Sequence, residues 1–220
     1  MKMRSAKGKI SGLTLLEALV VIAVVAILAA LALPSGGGPH SSYLSMCMSN
    51  QRQIELGLSL FKEDHSGEYP WQDSATNGGS LESVSGYQVS PHFRVLSEYQ
   101  GKQTRIFICP TDKSRQEATD RAQLQNTNIS YFINLNALTN STSILTGDRH
   151  LEADGKAVNP GLFVYTTNAT LNWTRELHGK VQSGPIGVLS FADGHVQIVK
   201  GKDLSSVFKN QPVATNHIIV

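Results

Sequence analysis

The chain has 220 residues, 40% of them apolar and 16% charged, with a formal net charge of +2. That length accommodates one membrane segment and one globular domain, and no basic patch with interleaved aromatics argues for nucleic acid as a partner. The charge is uneven. Residues 1–12 carry Lys2, Arg4, Lys7 and Lys9 and no acid, so 15 of the 19 basic residues face 17 acids in the remainder, a side-chain charge of −2.

Behind this basic leader, Leu13 to Leu33 form a run of 21 residues in which only Thr14 and Glu17 are polar. A helix of that length is about 30 Å long, which matches a hydrocarbon core, and the basic side should stay cytoplasmic. A conventional secretory signal is cut after its apolar stretch. Ala30-Leu31-Ala32 offers such a site, but Gly12 stands before the run, at its junction with the leader. Glu17 is a carboxylate inside an apolar helix, which is costly unless it finds a partner. Cutting after Gly12 would create an amine on Leu13, four residues away, that Glu17 could meet within one helix or between packed subunits.

Lys9-Ile10-Ser11-Gly12-Leu13-Thr14-Leu15-Leu16-Glu17 resembles the class III signal of type IV prepilins and type II secretion pseudopilins. The resemblance implies cleavage after Gly12 and N-methylation of Leu13 by a prepilin peptidase. It also implies assembly with other pilin or pseudopilin subunits through inner-membrane machinery. Leu13 stands where the family most often has Phe, and Pro34 falls where it tends to have a helix-kinking proline. The implied path runs from a single-pass inner-membrane precursor with a periplasmic head to a pseudopilus or the cell surface.

The division expected is a leader over 1–12, a transmembrane and assembly helix over 13–33, a Gly/Pro hinge over 34–41 and a head over 42–220. Three glycines between Pro34 and Pro39 predict a break. Leu44, Cys47, Met48, Gln51, Ile54, Leu58 and Phe61 recur at three- and four-residue spacing, which predicts an amphipathic helix over 42–62. Asp64-His65-Ser66-Gly67 supplies its stop. Cys47 to Ile54 is similar to a Cys-x-x-Asn-Leu-Arg-Gln segment of a bacterial pilin-like group abundant in planctomycetes, with Gln51 in place of Leu. Phe107-Ile108-Cys109-Pro110-Thr111-Asp112 resembles the Cys-Pro segment of that group, and Ser130-Tyr131 its Ser-Tyr strand. Two cysteines, Cys47 and Cys109, are compatible with one disulfide in an exported chain or with two buried thiols.

From residue 72 the pattern predicts an α+β head with a mainly antiparallel sheet. Residues 74–86 read as a loop, 105–109 as a strand, and 111–128 as a surface helix or loop. Residues 129–135, 143–145 and 162–166 read as strands. Near the end, Asp193-Gly194 separates the apolar runs 186–192 and 195–199, which predicts a two-residue hairpin turn with both turn residues at positive φ. Gly201 closes the second strand. Phe191-Ala192-Asp193-Gly194-His195-Val196 resembles the C-terminal motif of the same group. In that group a His precedes Asp-Gly with nine residues between; Ser183 stands there in this chain, and the nearest preceding His is His178.

Catalytic fragments can be drawn at Asp148-Arg149-His150 and Asp193-Gly194-His195, but no nucleophile accompanies them in a recognisable setting. The seven histidines show no zinc-ligand spacing with the cysteines. No cofactor is expected, and calcium on Asp148, Asp154 or Asp193 is a minor alternative. Asn128, Asn140, Asn168 and Asn172 begin Asn-x-Ser/Thr triplets, which in a bacterial chain reflect composition. The first functional reading is a non-enzymatic pseudopilin or minor pilin-like subunit. The second is a membrane-tethered module binding a polysaccharide or surface ligand. An anchored hydrolase ranks last.

Overall fold

The computed structural model describes residues 14–32, 39–138, 142–178 and 184–220, with side chains at 31–32 and 39–41 left aside. Gly12, Leu13 and Pro34 lie outside the described residues. The chain divides into two units, Met1–Gly38 and Pro39–Val220, which are taken separately.

In the first unit, helix α1 spans Leu15–Ala32, about 27 Å at the usual rise. It is apolar on every face, and Leu15, Leu16, Leu19, Ile22, Ile27 and Leu28 are all exposed. Among the described residues, no helix is long and apolar enough to cross a membrane.

In the second unit, helix α2 spans Pro39–Asp64 and so begins inside the stretch read as a hinge. Proline suits the first turn of a helix, where its missing N–H would be unpaired anyway, so Pro39 can start a helix rather than interrupt one. The helix ends where Ser66 and Gly67 adopt positive φ and Gly67 N donates to Lys62 O at 2.9 Å. Cys47, Gln51, Ile54, Glu55, Leu58 and Phe61 form its buried face.

Residues 65–130 wrap against α2 mostly as turns, with short helices α3 (Ser90–Arg94) and α4 (Ser97–Gln100). The loop expected at 74–86 contains two 3-10 turns. The strand expected at 105–109 is absent; Arg105–Phe107 form a 3-10 turn. Its apolar residues Ile106, Phe107 and Cys109 are buried in the core shared with α2, so tertiary burial rather than strand pairing accounts for the pattern. The polar stretch 111–128 is a loop with two 3-10 turns. Arg121, 2% exposed, stitches this region together by donating to the carbonyls of Phe93 and Gln103 and to Gln100 Oε1.

The main sheet has six antiparallel strands: β1 (Tyr131–Asn134), β2 (Ile144–Asp148), β5 (Leu162–Thr166), β7 (Ile186–Phe191), β8 (Val196–Lys200) and β9 (Thr215–Ile219), in the order β5-β9-β1-β2-β7-β8. A second sheet, β4-β3-β6, joins β3 (Leu151–Ala153), β4 (Lys156–Ala157) and β6 (Leu171–Trp173). Helix α5 (Gly201–Lys209) follows β8 directly, so Gly201 opens a helix as well as closing a strand. Side chains alternate between two cores. Tyr131, Ile133, Val188 and Ile219 join the core under α2. Phe132, Leu189 and Ile218 join Trp173, Leu204 and Phe208 on the other face. The main sheet is therefore covered on both sides, the α+β arrangement expected.

Candidate functional site

In the first unit, Thr14 and Glu17 form a reciprocal cap at the start of α1. Thr14 N and Thr14 Oγ1 each donate to Glu17 Oε2 at 2.8 Å, and Glu17 N donates to Thr14 Oγ1 at 3.3 Å. This is a capping box, Thr-x-x-Glu, in which each side chain satisfies a backbone N–H that the first helical turn leaves unpaired. Thr14-Leu15-Leu16-Glu17 carries that signature in plain sequence. The reading of Glu17 as the partner of a new amine overlooked it. In the uncut chain the carboxylate has a local partner and lies at the positive end of the helix dipole.

In the second unit, Cys47 of α2 and Cys109 are joined by a disulfide across 62 residues, with Cα atoms 5.2 Å apart. Both are fully buried. Beside them lies a polar cluster that the sequence reading did not assemble. His178 Nε2 is 3.5 Å from Cys109 Sγ and 3.4 Å from Asp148 Oδ2. Asp148, 1% exposed, accepts from Val188 N at 2.8 Å. Arg149 and His150, just past the end of β2, make different bonds. Arg149 grips Asp112 with Nε at 3.0 Å and Nη2 at 3.2 Å, and His150 Nδ1 meets Glu176. Burial raises the Asp112 pKa, but bonds from His150, Arg149 and Ser114 outweigh it and hold this carboxyl well below the usual range. The fragment Asp148-Arg149-His150 thus splits in two: Asp148 faces His178, while Arg149 and His150 both face Asp112. His178 presents one ring nitrogen to both acid and sulfur, so it cannot relay a proton between them as a catalytic triad does.

The Asp193-Gly194 turn joins β7 to β8, with a correction to its geometry. Gly194 N donates to Phe191 O at 3.0 Å and Phe191 N to His195 O at 3.1 Å. Gly194 has φ 88°, whereas Asp193 is not among the positive-φ residues. This is a three-residue loop, a type I turn closed by a glycine bulge, rather than the two-residue turn expected. The two-residue geometry occurs instead at Asp154-Gly155, at φ 49° and 77°, between the paired Ala153 and Lys156. The flanking strands there are too short and polar to stand out in sequence. At the first hairpin, His195 stacks on Phe191 with ring centroids 4.1 Å apart and its Nδ1 meets Asp193 Oδ1. Under the turn lies Glu55 of α2, its pKa raised by burial.

The three acids considered for calcium each have local partners: Asp148 binds Val188 N, Asp154 binds Thr170 N, and Asp193 binds His195 N. Among the described residues, none of the three belongs to a group of metal-competent side chains.

Residues 7–33 match the family described as the prokaryotic N-terminal methylation motif. No curated protein and no solved structure matches the chain. The chain carries a prepilin-type N-terminal signal, as the residues around Gly12 and Glu17 led one to expect.

Proposed function

We propose that this chain is an exported precursor, cut after Gly12 and methylated on Leu13, whose mature form is a pseudopilin or minor pilin-like structural subunit. The observation that carries this reading is the methylation motif over residues 7–33. The apolar run Leu13–Leu33 extends past the described helix at both ends and at 21 residues matches the bilayer core in length. In this reading it anchors the precursor in the inner membrane and later packs against the same run of other subunits. Its partners are a prepilin peptidase, those subunits and the assembly machinery. Whether the product is a pilus or a secretion pseudopilus depends on those partners.

The capping box refines the role of Glu17. Before cleavage the carboxylate is held by Thr14. After cleavage the amine of Leu13 becomes available one residue before that cap, and a neighbouring subunit's amine can compete for the same oxygen. The head has a groove of about 690 Å³ between α2 and residues 103–117. Tyr43 is the one aromatic residue lining it. Sugar-binding clefts rely on several apolar and aromatic walls, so the groove lends little support to a polysaccharide-binding module.

Intact-mass and N-terminal analysis of the exported protein tests the proposal. A chain beginning at methyl-Leu13 is the expected result. Retention of Met1, or a start near Leu33, overturns it. Substituting Glu17→Gln should leave processing intact and abolish multimers; unchanged multimers would remove the charge-pairing account while leaving cleavage in place.

A further inference from the structure

Two exposed surfaces at opposite ends of α2 carry opposite charge. The first is the groove between α2 and residues 103–117. Tyr43 and Met46, on the first half of α2, line it and stay exposed, facing Ile108 and Pro110. Its cations are Arg105, Lys113 and Arg115, set against Asp112 and Glu117, and Asp112 is already held by Arg149. Arg105 and Lys113 are exposed, and among the described residues neither forms an ion pair.

The second surface is the far end of α2. Glu63 and Asp64 close the helix, and Glu68 follows the turn at Ser66-Gly67; all three acids are exposed. Among the described residues none of them forms an ion pair. The nearby cations turn inward. Lys62 Nζ lies 5.5 Å from the centre of the Tyr69 ring, and His65 stacks on Phe61 and meets Asp73. A Cβ added to Gly67 would meet nothing within 4 Å, so the tip is bare. From Cys47, bonded to Cys109 at the groove, to Asp64 the helix rises about 25 Å.

We propose that the acidic tip, Glu63 to Glu68, of one copy seats in the basic groove of a second copy, as a head-to-tail contact between subunits. The inference rests on the reading of the chain as a subunit of an assembly, and names the surfaces through which its heads meet. Charge complementarity selects this occupant. A two-fold pair would set groove against groove or tip against tip, and like charges brought together are repelled. Groove and tip are different surfaces, so each joined pair keeps one free groove and one free tip. Such a contact repeats into a row instead of closing. Exposed ion pairs are individually weak and screened by salt, so the contact sets the register of subunits that their apolar runs hold together.

The test uses the full chain in membranes of cells that export it, treated with a water-soluble carbodiimide, which joins an amine directly to a carboxylate. The expected product has twice the chain mass and a bond from Lys113 to Glu63, Asp64 or Glu68; the length of α2 keeps these groups apart within one chain. Arg105→Glu, which spares Lys113, should lower the yield of that bond by at least about fivefold. Adding Glu63→Lys to the same chain should restore it. Lys113 bonded only within its own chain, or only to a different protein, overturns the proposal. So does a yield that Arg105→Glu leaves unmoved, or one that the second reversal does not restore. The same digest reads the start of the chain. The bond on a chain that retains Met1 removes the cleavage reading and keeps the contact; its absence on a chain beginning at methyl-Leu13 removes the contact alone.

Discussion

Gly194 shows how one residue can be required twice. Its φ of 88° is a conformation that L side chains rarely adopt, and a Cβ there would stand 3.3 Å from Glu55 Oε2. Gly194→Ala should cost about 1–2 kcal/mol from the backbone alone, measured as a lowered denaturation midpoint of the full chain in micelles. Gln51 has a comparable role on α2. It is fully buried, donates to Val188 O at 3.4 Å and accepts from Thr146 Oγ1 at 2.5 Å. Gln51→Ala should cost about 1–3 kcal/mol, because it leaves buried partners unsatisfied. His92 supplies a pH dependence. It is fully buried, its Nδ1 meets Ser80 Oγ at 2.7 Å, and burial pushes its pKa down to about 4. The neutral ring is the folded form, so its contribution is fully present above the unfolded value near pH 6.5 and is lost as pH falls toward 4. Stability should drop by up to about 3 kcal/mol across that window. Denaturation at pH 7 and pH 4.5 checks this, and His92→Gln should flatten the slope. Asp112 acts lower: its depressed pKa stabilises the fold above about pH 4 and is lost below it.

At the scale of elements, the patterns that held were those set by local chemistry. The three- and four-residue spacing of Cys47, Ile54, Leu58 and Phe61 marks the buried face of α2, because a helix repeats its direction at that spacing whatever it packs against. The Asp-Gly pair at 193–194 marks a hairpin, because a tight reversal needs a residue that tolerates positive φ. The number of loop residues was not legible, since pairing across β7 and β8 decides which residue forms the bulge. Arg105 to Cys109 misled for a related reason. An apolar run announces burial but not strand pairing, and here Ile106 and Phe107 reach the core from a 3-10 turn. Strand β9 opens with the polar Thr215, Asn216 and His217, ahead of Ile218 and Ile219. Asn216 is buried against Asn134, whose Nδ2 donates to Asn216 Oδ1 at 2.9 Å, so the polar residues that hid the strand are satisfied across it.

At the scale of the molecule, the head is a sheet buried on both faces, with α2 on one side and α5 with the small sheet on the other. The disulfide ties α2 to the wrapping segment, closing a 62-residue separation. Removing that constraint should cost about 4 kcal/mol by the chain-entropy estimate. The doubly substituted Cys47→Ser, Cys109→Ser chain, compared with the oxidised wild type by denaturant unfolding, checks the figure.

The sequence by itself determined the N-terminal signal, the α2 face, the class of the head and the place of its last hairpin. Each follows from charge, spacing or turn chemistry within about twenty residues. Only the tertiary structure decided that Cys47 meets Cys109, that His178 and Asp148 stand beside them, and that Glu55 lies beneath Gly194. Those neighbours are separated by scores of residues, and their encounter depends on how a two-faced sheet and a helix close over one another. No local periodicity records that closure.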